Sequence, residues 1–280
     1  MRTELVSIPT DTAPLEGALH RPEADKAGEV GKARGGVLLM HGNTMNFYTG
    51  MPRFLPPYLT ARGYVCLAYN RRGHDILGIH GSGSPEGGAF QTFTEAAADN
   101  AYAAGFLADR GFSEPIVMGH SLGGLLAGQY AAAYQATRAL VLFSAIGGGP
   151  DGQQRDIDRG YLAGEATAEA VARAEQLMAD GRGRELLLFP GWWYVVSAES
   201  YLDRFRSRPS LLELAPRITC PTLFIRGGRE RWAQATGDRF QALAGGPCDV
   251  VSVEGSGHFY VGHEQAVSET AVDWLCRHLG

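Results

Sequence analysis

The sequence predicts an α/β fold: a mostly parallel sheet flanked by helices, with a helical cap inserted late in the chain. Three observations predict it. Short apolar runs alternate with helix-like segments, the pattern of a βαβ succession. The runs are almost continuously apolar, as strands buried on both faces must be. One long stretch breaks the rhythm and carries helical patterns of its own.

Two leading segments, Leu5 to Pro9 and Leu15 to His20, read as an antiparallel pair. Six runs follow: Gly36 to His41, Tyr64 to Asn70, Pro115 to His120, Ala139 to Ala145, Pro221 to Arg226 and Cys248 to Glu254. Between them, Thr94 to Asp109 and Leu122 to Tyr134 are Ala-rich and predict helices, the second built of small side chains that allow close approach to a sheet. His263 to Leu279 puts Val267, Ala271, Trp274 and Leu275 on one stripe and predicts a final helix. From Gly147 to Ala215 no strand-like run occurs, while Thr167 to Ala179 and Ser197 to Ser207 are helical in pattern. The chain therefore divides into a core, residues 1–146 and 216–280, and a helical cap, residues 147–215. Gly81 to Gly88 (GSGSPEGG) reads as a mobile turn.

Composition narrows the function. At 280 residues, 45% hydrophobic and 20% charged, the chain is an ordinary globular protein. Its net charge of −5 argues against a nucleic-acid partner, which needs a clustered basic surface. Cys66, Cys220, Cys248 and Cys276 form no C-x-x-C pair, so neither a zinc site nor a redox motif is visible, and buried free thiols are expected. No run approaches the ~18 apolar residues of a membrane span, and residues 1–17 lack the apolar core of a signal peptide. The default compartment is the cytoplasm, with no membrane partner. The sequence is silent on oligomeric state, and a homo-oligomer is allowed.

Gly119-His120-Ser121-Leu122-Gly123 matches the G-x-S-x-G nucleophile elbow. A chain this rich in glycine gives the bare pattern by chance about 0.2 times, so context decides. The pentapeptide directly follows an apolar run and directly precedes a small-residue helix, the strand–turn–helix setting the motif requires. Such a turn is too tight for side chains two residues either side of the serine, and it projects Ser121 Oγ from the carboxyl end of the sheet beside a helix N-terminus.

A serine hydroxyl needs a general base. His258, in Glu254-Gly255-Ser256-Gly257-His258-Phe259, sits just past the last run, where glycines let the loop turn back over the sheet edge. His263 competes, but it opens the last helix. The base needs an orienting carboxylate. Glu230, in the loop after Pro221 to Arg226, is the first choice; Arg229 and Arg231 beside it offer the alternative of a surface ion pair, and Asp151 and Asp238 are the substitutes. For the oxyanion hole, the backbone N–H of Leu122 supplies one donor and the loop His41-Gly42-Asn43-Thr44 the other, through Asn43 N–H with Thr44 behind it.

With these pieces in place the chain resembles the α/β-hydrolase fold family, over most of its length. The matching motifs are MHGN at Met40 to Asn43, RRGHD at Arg71 to Asp75, GHSLGG at Gly119 to Gly124, PTLFIRGGRE at Pro221 to Glu230 and GSGH at Gly255 to His258. The resemblance implies an eight-stranded, mostly parallel sheet, a cap inserted after the sixth strand, and a triad in the order serine, acid, histidine, which Ser121, Glu230 and His258 follow. Glu230 stands where the family more often has Asp, and Asp75 where many members have Gly.

The expected function is serine-hydrolase cleavage of a carboxylic ester or related acyl compound through an acyl-enzyme, with no cofactor and no metal required. Acyl transfer and lactone, thioester or carbon–carbon bond hydrolysis use the same triad and stay open. Haloalkane dehalogenase and epoxide hydrolase chemistry is disfavoured, since relatives with those activities have an aspartate at the serine position. A non-catalytic ligand receptor is disfavoured by the complete candidate triad. Trp192, Trp193 and Tyr194 serve either as cap core or, with Phe259, as lining of a pocket for a partly apolar small molecule. Gly147 to Gly152 fits G-x-G-x-x-G, but about 0.7 matches are expected by chance and no periodic helix is read after it.

Overall fold

The computed structural model describes residues 1–23, 33–79, 83–189 and 195–279. Eight strands form one sheet: β1 (Arg2–Ile8), β2 (Leu15–Arg21), β3 (Gly35–Met40), β4 (Tyr64–Tyr69), β5 (Ile116–His120), β6 (Ala139–Phe143), β7 (Thr222–Gly227) and β8 (Cys248–Val253). Their order is β1-β2-β4-β3-β5-β6-β7-β8, and only β2 runs against the rest. All six sequence-predicted runs and the leading antiparallel pair are strands of this sheet.

Alternation along each strand builds two cores. On β3, Leu38 and Met40 join one apolar cluster while Val37 and Leu39 join the other; Val65 and Leu67 against Cys66 and Ala68 do the same on β4. One face is covered by α1 (Phe93–Ala108) and α2 (Leu122–Ala133), and the other by helical turns at Met51–Phe54 and Pro56–Ala61 together with a C-terminal helix, Glu264–Leu279. The helix α1 starts at a capping box: Thr92 Oγ1 accepts the Glu95 N–H at 3.2 Å and Glu95 Oε2 accepts the Thr92 N–H at 2.9 Å.

The segment between β6 and β7 carries α3 (Gly149–Asp158), α4 (Thr167–Ala179) and α5 (Ala198–Arg206). It has a separate apolar cluster, with Leu162, Ala174, Leu177, Val196 and Tyr201 buried together. It is tied to the sheet side by Ser197 N–H to Ala89 O at 2.8 Å, Ser200 Oγ to Gln91 O at 2.7 Å and Phe93 N–H to Asp203 Oδ2 at 2.7 Å. After β7 comes α6 (Arg231–Leu243), and the C-terminal helix is α7.

Four expectations need correction. A helix does open inside Gly147 to Gly152: α3 begins at Gly149, and its polar sequence, GPDGQQRDID, gave no apolar periodicity to read. The helix α6, polar on most of its surface, was likewise not predicted. The strand β8 lies at the sheet edge and is half-exposed along most of its length, not buried on both faces. Of the four free cysteines only Cys66 is buried; Cys220, Cys248 and Cys276 are half-buried. Within the predicted mobile turn, Gly81 and Ser82 lie outside the described residues, and Pro85–Glu86 pairs with Gly78–Ile79 as a short hairpin. Among the described residues no helix is long and apolar enough to cross a membrane.

Candidate active site

Ser121 is the single residue between β5 and α2, and its backbone is left-handed in φ (φ 56°, ψ −118°), a strained state for a residue with a Cβ. The flanking glycines make this turn possible. A Cβ on Gly119 would lie 2.1 Å from Gly123 O, and one on Gly123 would lie 2.3 Å from both Met40 O and His41 O. No side chain fits at either position.

Glu230 closes the turn after β7, held by its own N–H to Gly227 O at 3.0 Å, and is 6% exposed. One oxygen, Oε1, accepts from His258 Nδ1 at 2.6 Å. The other, Oε2, accepts from the Gly227 N–H at 2.9 Å and from Ser144 Oγ. Ser144 lies 2.7 Å from Tyr260 OH; since its only proton goes to Glu230, Tyr260 is the donor. Burial pushes the Glu230 carboxyl up, but the hydrogen bonds from His258 and Ser144, with the Gly227 N–H, outweigh it and hold the group below the usual carboxylate range. With Nδ1 committed to Glu230, His258 has Nε2 left for a proton. Its loop is pinned from below by His120 Nε2–H to His258 O at 2.8 Å.

Ser121 and His258 line one cavity of about 580 Å³. No hydrogen bond joins Ser121 Oγ to His258; this contact is commonly loose in a free enzyme and tightens around substrate. Asn43 and Leu122 line the same cavity. Leu122 opens α2, where an N–H has no intrahelical acceptor. Further lining comes from the segment between β6 and β7: Asp156, Tyr161, Leu162, Arg204 and Arg208.

A model of the alpha/beta hydrolase family matches residues 37–271, most of the chain. The chain belongs to that family. The search of curated proteins gives no match. Among solved structures, the alpha/beta hydrolase GrgF from Penicillium sp. sh18 superposes with a TM-score of 0.74 at 16% identity, covering 100% of this chain and 99% of the other. A thermostable carboxyl esterase from Bacillus coagulans gives 0.71 at 14% identity with 100% of both chains covered, and Est1E from Butyrivibrio proteoclasticus 0.69 at 16% with 98% of both. At these identities the likeness is one of fold.

Within this alpha/beta hydrolase, the sequence-predicted residues fall as follows. Ser121, His258, Leu122, Asn43, Thr44 and Phe259 share the cavity, and Glu230 lies behind His258. Asp151 is exposed and paired with Arg239 at 3.3 Å, and Asp238 is exposed and paired with Arg226 at 2.8 Å. Arg229 and Arg231 are exposed, and Glu230 turns inward between them. His263 precedes α7, its carbonyl accepting the Val267 N–H at 3.0 Å. Trp192, Trp193 and Tyr194 lie outside the described residues. Asp75 has φ 54°, which explains why glycine is common at that position; Asp is among the side chains that tolerate this region.

Sequence reasoning missed Ser144 and Tyr260, which complete the Glu230 environment. It also quoted Arg71 and His41 without giving them a role. Both are buried under the Gly42–Asn43 loop: Arg71 Nη2 donates to His41 O at 2.7 Å, and the Arg71 N–H donates to His41 Nε2 at 3.1 Å. His41 Nδ1–H donates to Gly42 O at 2.8 Å. Burial, then the Arg71 charge, hold His41 well below the usual imidazole range, so it stays neutral and fixes the loop. The available signal was the motif itself, a pair of arginines just past an apolar strand; a charge buried there needs a partner.

Proposed function

We propose that this protein hydrolyses carboxylic esters through an acyl-enzyme on Ser121. The observation that carries the reading is the Glu230–His258 hydrogen bond of 2.6 Å in a histidine that shares a cavity with a strained elbow serine. Ser121 Oγ attacks the ester carbonyl carbon while His258 Nε2 takes its proton. Glu230 holds the ring orientation and stabilises the imidazolium. The backbone N–H groups of Leu122 and Asn43 receive the oxyanion of the tetrahedral intermediate. His258 then returns the proton to the departing alcohol oxygen, the C–O bond breaks, and the acyl group stays on Ser121. Water, deprotonated by the same nitrogen, repeats the sequence and releases the acid. The segment between β6 and β7 acts as the cap, closing the cavity over the acyl group.

Ser121→Ala tests this. Turnover of p-nitrophenyl butyrate is expected to fall about 10³-fold or more, as when a triad nucleophile is removed, with the circular dichroism spectrum unchanged. A fluorophosphonate should label the native chain at Ser121 alone. Unchanged turnover, or a label elsewhere, overturns the assignment.

A further inference from the structure

The cavity has a second polar feature, on the wall supplied by the segment between β6 and β7. Arg208 projects there from the chain after α5, with its side chain only 8% exposed. Its one carboxylate contact is Asp156 Oδ2, which accepts from Nη1 at 2.7 Å. On the opposite edge of the guanidinium, Nε is fully buried and has no partner among the described residues, and the hydrogen bond to Asp156 leaves the neighbouring Nη2 uncommitted. That edge is the planar two-donor fork that fits a carboxylate bidentately. Arg204 lines the same cavity.

A buried guanidinium cannot relieve an unmet hydrogen bond by losing its charge. Buried donors in native proteins are satisfied, and an exception is met by strain, a water, an ion or a ligand; beside a cavity that holds a candidate nucleophile, a ligand is the one with a function. Met45, Phe93, Leu162 and Phe259 give the same cavity an apolar lining. We propose that the substrate is an ester bearing a free carboxylate, and that Arg208 binds that carboxylate through its Nε/Nη2 edge while Asp156 holds the guanidinium by its other side. This rests on the serine-hydrolase reading for the bond cleaved, and on the Arg208 geometry alone for the group recognised.

The test is a selectivity ratio measured on the purified chain. Two matched pairs place the carboxylate on either side of the ester: mono-p-nitrophenyl adipate against p-nitrophenyl hexanoate, and 4-butyryloxybenzoate against 4-butyryloxybenzamide. In at least one pair the carboxylate compound should exceed its neutral partner about tenfold or more in kcat/KM. Arg208→Gln should remove most of that ratio and Arg208→Lys should retain part of it; because each variant is normalised to its own neutral ester, partial loss of folded protein does not affect the result. Asp156→Asn discriminates further. If Arg208 only braces the cap through its ion pair, Asp156→Asn and Arg208→Gln should act alike and leave the ratio unmoved. If Arg208 binds substrate, the two variants should differ: Arg208→Gln should collapse the ratio, while Asp156→Asn, which leaves the guanidinium in place, should not.

Equal rates within both pairs, with Ser121 still labelled by fluorophosphonate, would overturn the carboxylate site and leave the serine reading standing. A preference for a cationic ester would overturn it in favour of Asp156. Calorimetric titration of Ser121→Ala with adipate separates the remaining case: binding that Arg208→Gln abolishes, in a chain whose native form hydrolyses none of the four esters, keeps the site and retires the serine reading.

Discussion

Glu230 and Arg208 are both buried, charged and close to the same cavity, yet they are treated oppositely. Glu230 has both oxygens engaged by three donors, from His258, Ser144 and Gly227, two of them attached to the sheet's carboxyl edge. Arg208 has one nitrogen engaged by Asp156 and a buried Nε without a partner among the described residues. A buried carboxylate with both oxygens engaged by the fold acts through the groups that hold it. A guanidinium left half-bonded by the fold retains its capacity for something that arrives. On the proposed reading, the sheet edge supplies fixed chemistry and the inserted segment supplies recognition.

The sharpest way to break this comparison is to remove the charge from the saturated group while keeping its shape. Glu230→Gln preserves an acceptor and adds a donor, so a proton cannot be stabilised on His258 and the ring loses its defined tautomer. The expected loss in kcat is about 10³- to 10⁴-fold, with KM nearly constant, read from steady-state kinetics on p-nitrophenyl butyrate. A loss below about tenfold would mean that Glu230 is a structural ion-pair partner and nothing more.

How much of this was legible beforehand follows the same division. Six strands could be read as short apolar runs, α1 and α2 from their Ala-rich content and α7 from one apolar stripe, and Ser121, Glu230 and His258 were singled out because each stands just after such a run. The helix α3 could not, since its polar sequence hides it from any apolar period. Ser144 could not either. It stands next to last in the run ALVLFSA as one more small residue, and its contact exists only because β6 and β7 are neighbours, which brings it within reach of a carboxylate 86 positions away. The arginines of the cavity wall belong to a segment whose long-range packing no local pattern announces. A motif specifies what a strand end carries; it does not specify what the insertion lays across it.

A smaller perturbation tests whether saturation itself matters. Ser144→Ala takes one donor from Glu230 Oε2 and leaves Tyr260 OH with Ile225 O, 3.2 Å away, as its acceptor. Loss of a hydrogen bond to a buried charge is expected to lower stability by about 1–3 kcal/mol. Removing a donor from the charged form also raises the Glu230 carboxyl back toward its ordinary value. The acid-side decline of kcat/KM should therefore move to higher pH, with the plateau reduced about tenfold, equivalent to about 1.4 kcal/mol of barrier. Ser144→Thr, which restores the hydroxyl, should recover the pH profile. If Ser144→Ala leaves both plateau and profile intact, saturation of Glu230 is incidental to its function.

His120 supplies a third treatment of a buried polar group, and the mildest test. It is 2% exposed; Nε2 donates to His258 O and Nδ1 has no partner among the described residues. Where Glu230 keeps its charge by saturation and Arg208 cannot lose its charge at all, His120 resolves burial by staying neutral. Burial, then the neighbouring His258, push it down to about 4. The unfolded chain, with an ordinary imidazole near 6.5, binds a proton throughout the interval between those two values while the native state does not. Stability therefore rises with pH across that window, and it is lost as pH falls from about 6.5 toward 4. The span corresponds to about 3 kcal/mol. His120→Gln keeps an N–H donor for His258 O and has no titration in this range. Urea midpoints measured at pH 7 and pH 5 should therefore lie closer together in His120→Gln than in the native chain. His41, also buried and neutral, contributes the same sign in both proteins and cancels from the difference. Identical pH slopes would show that His120 accepts its proton as readily folded as unfolded, and that the loop carrying His258 is open enough to hydrate it.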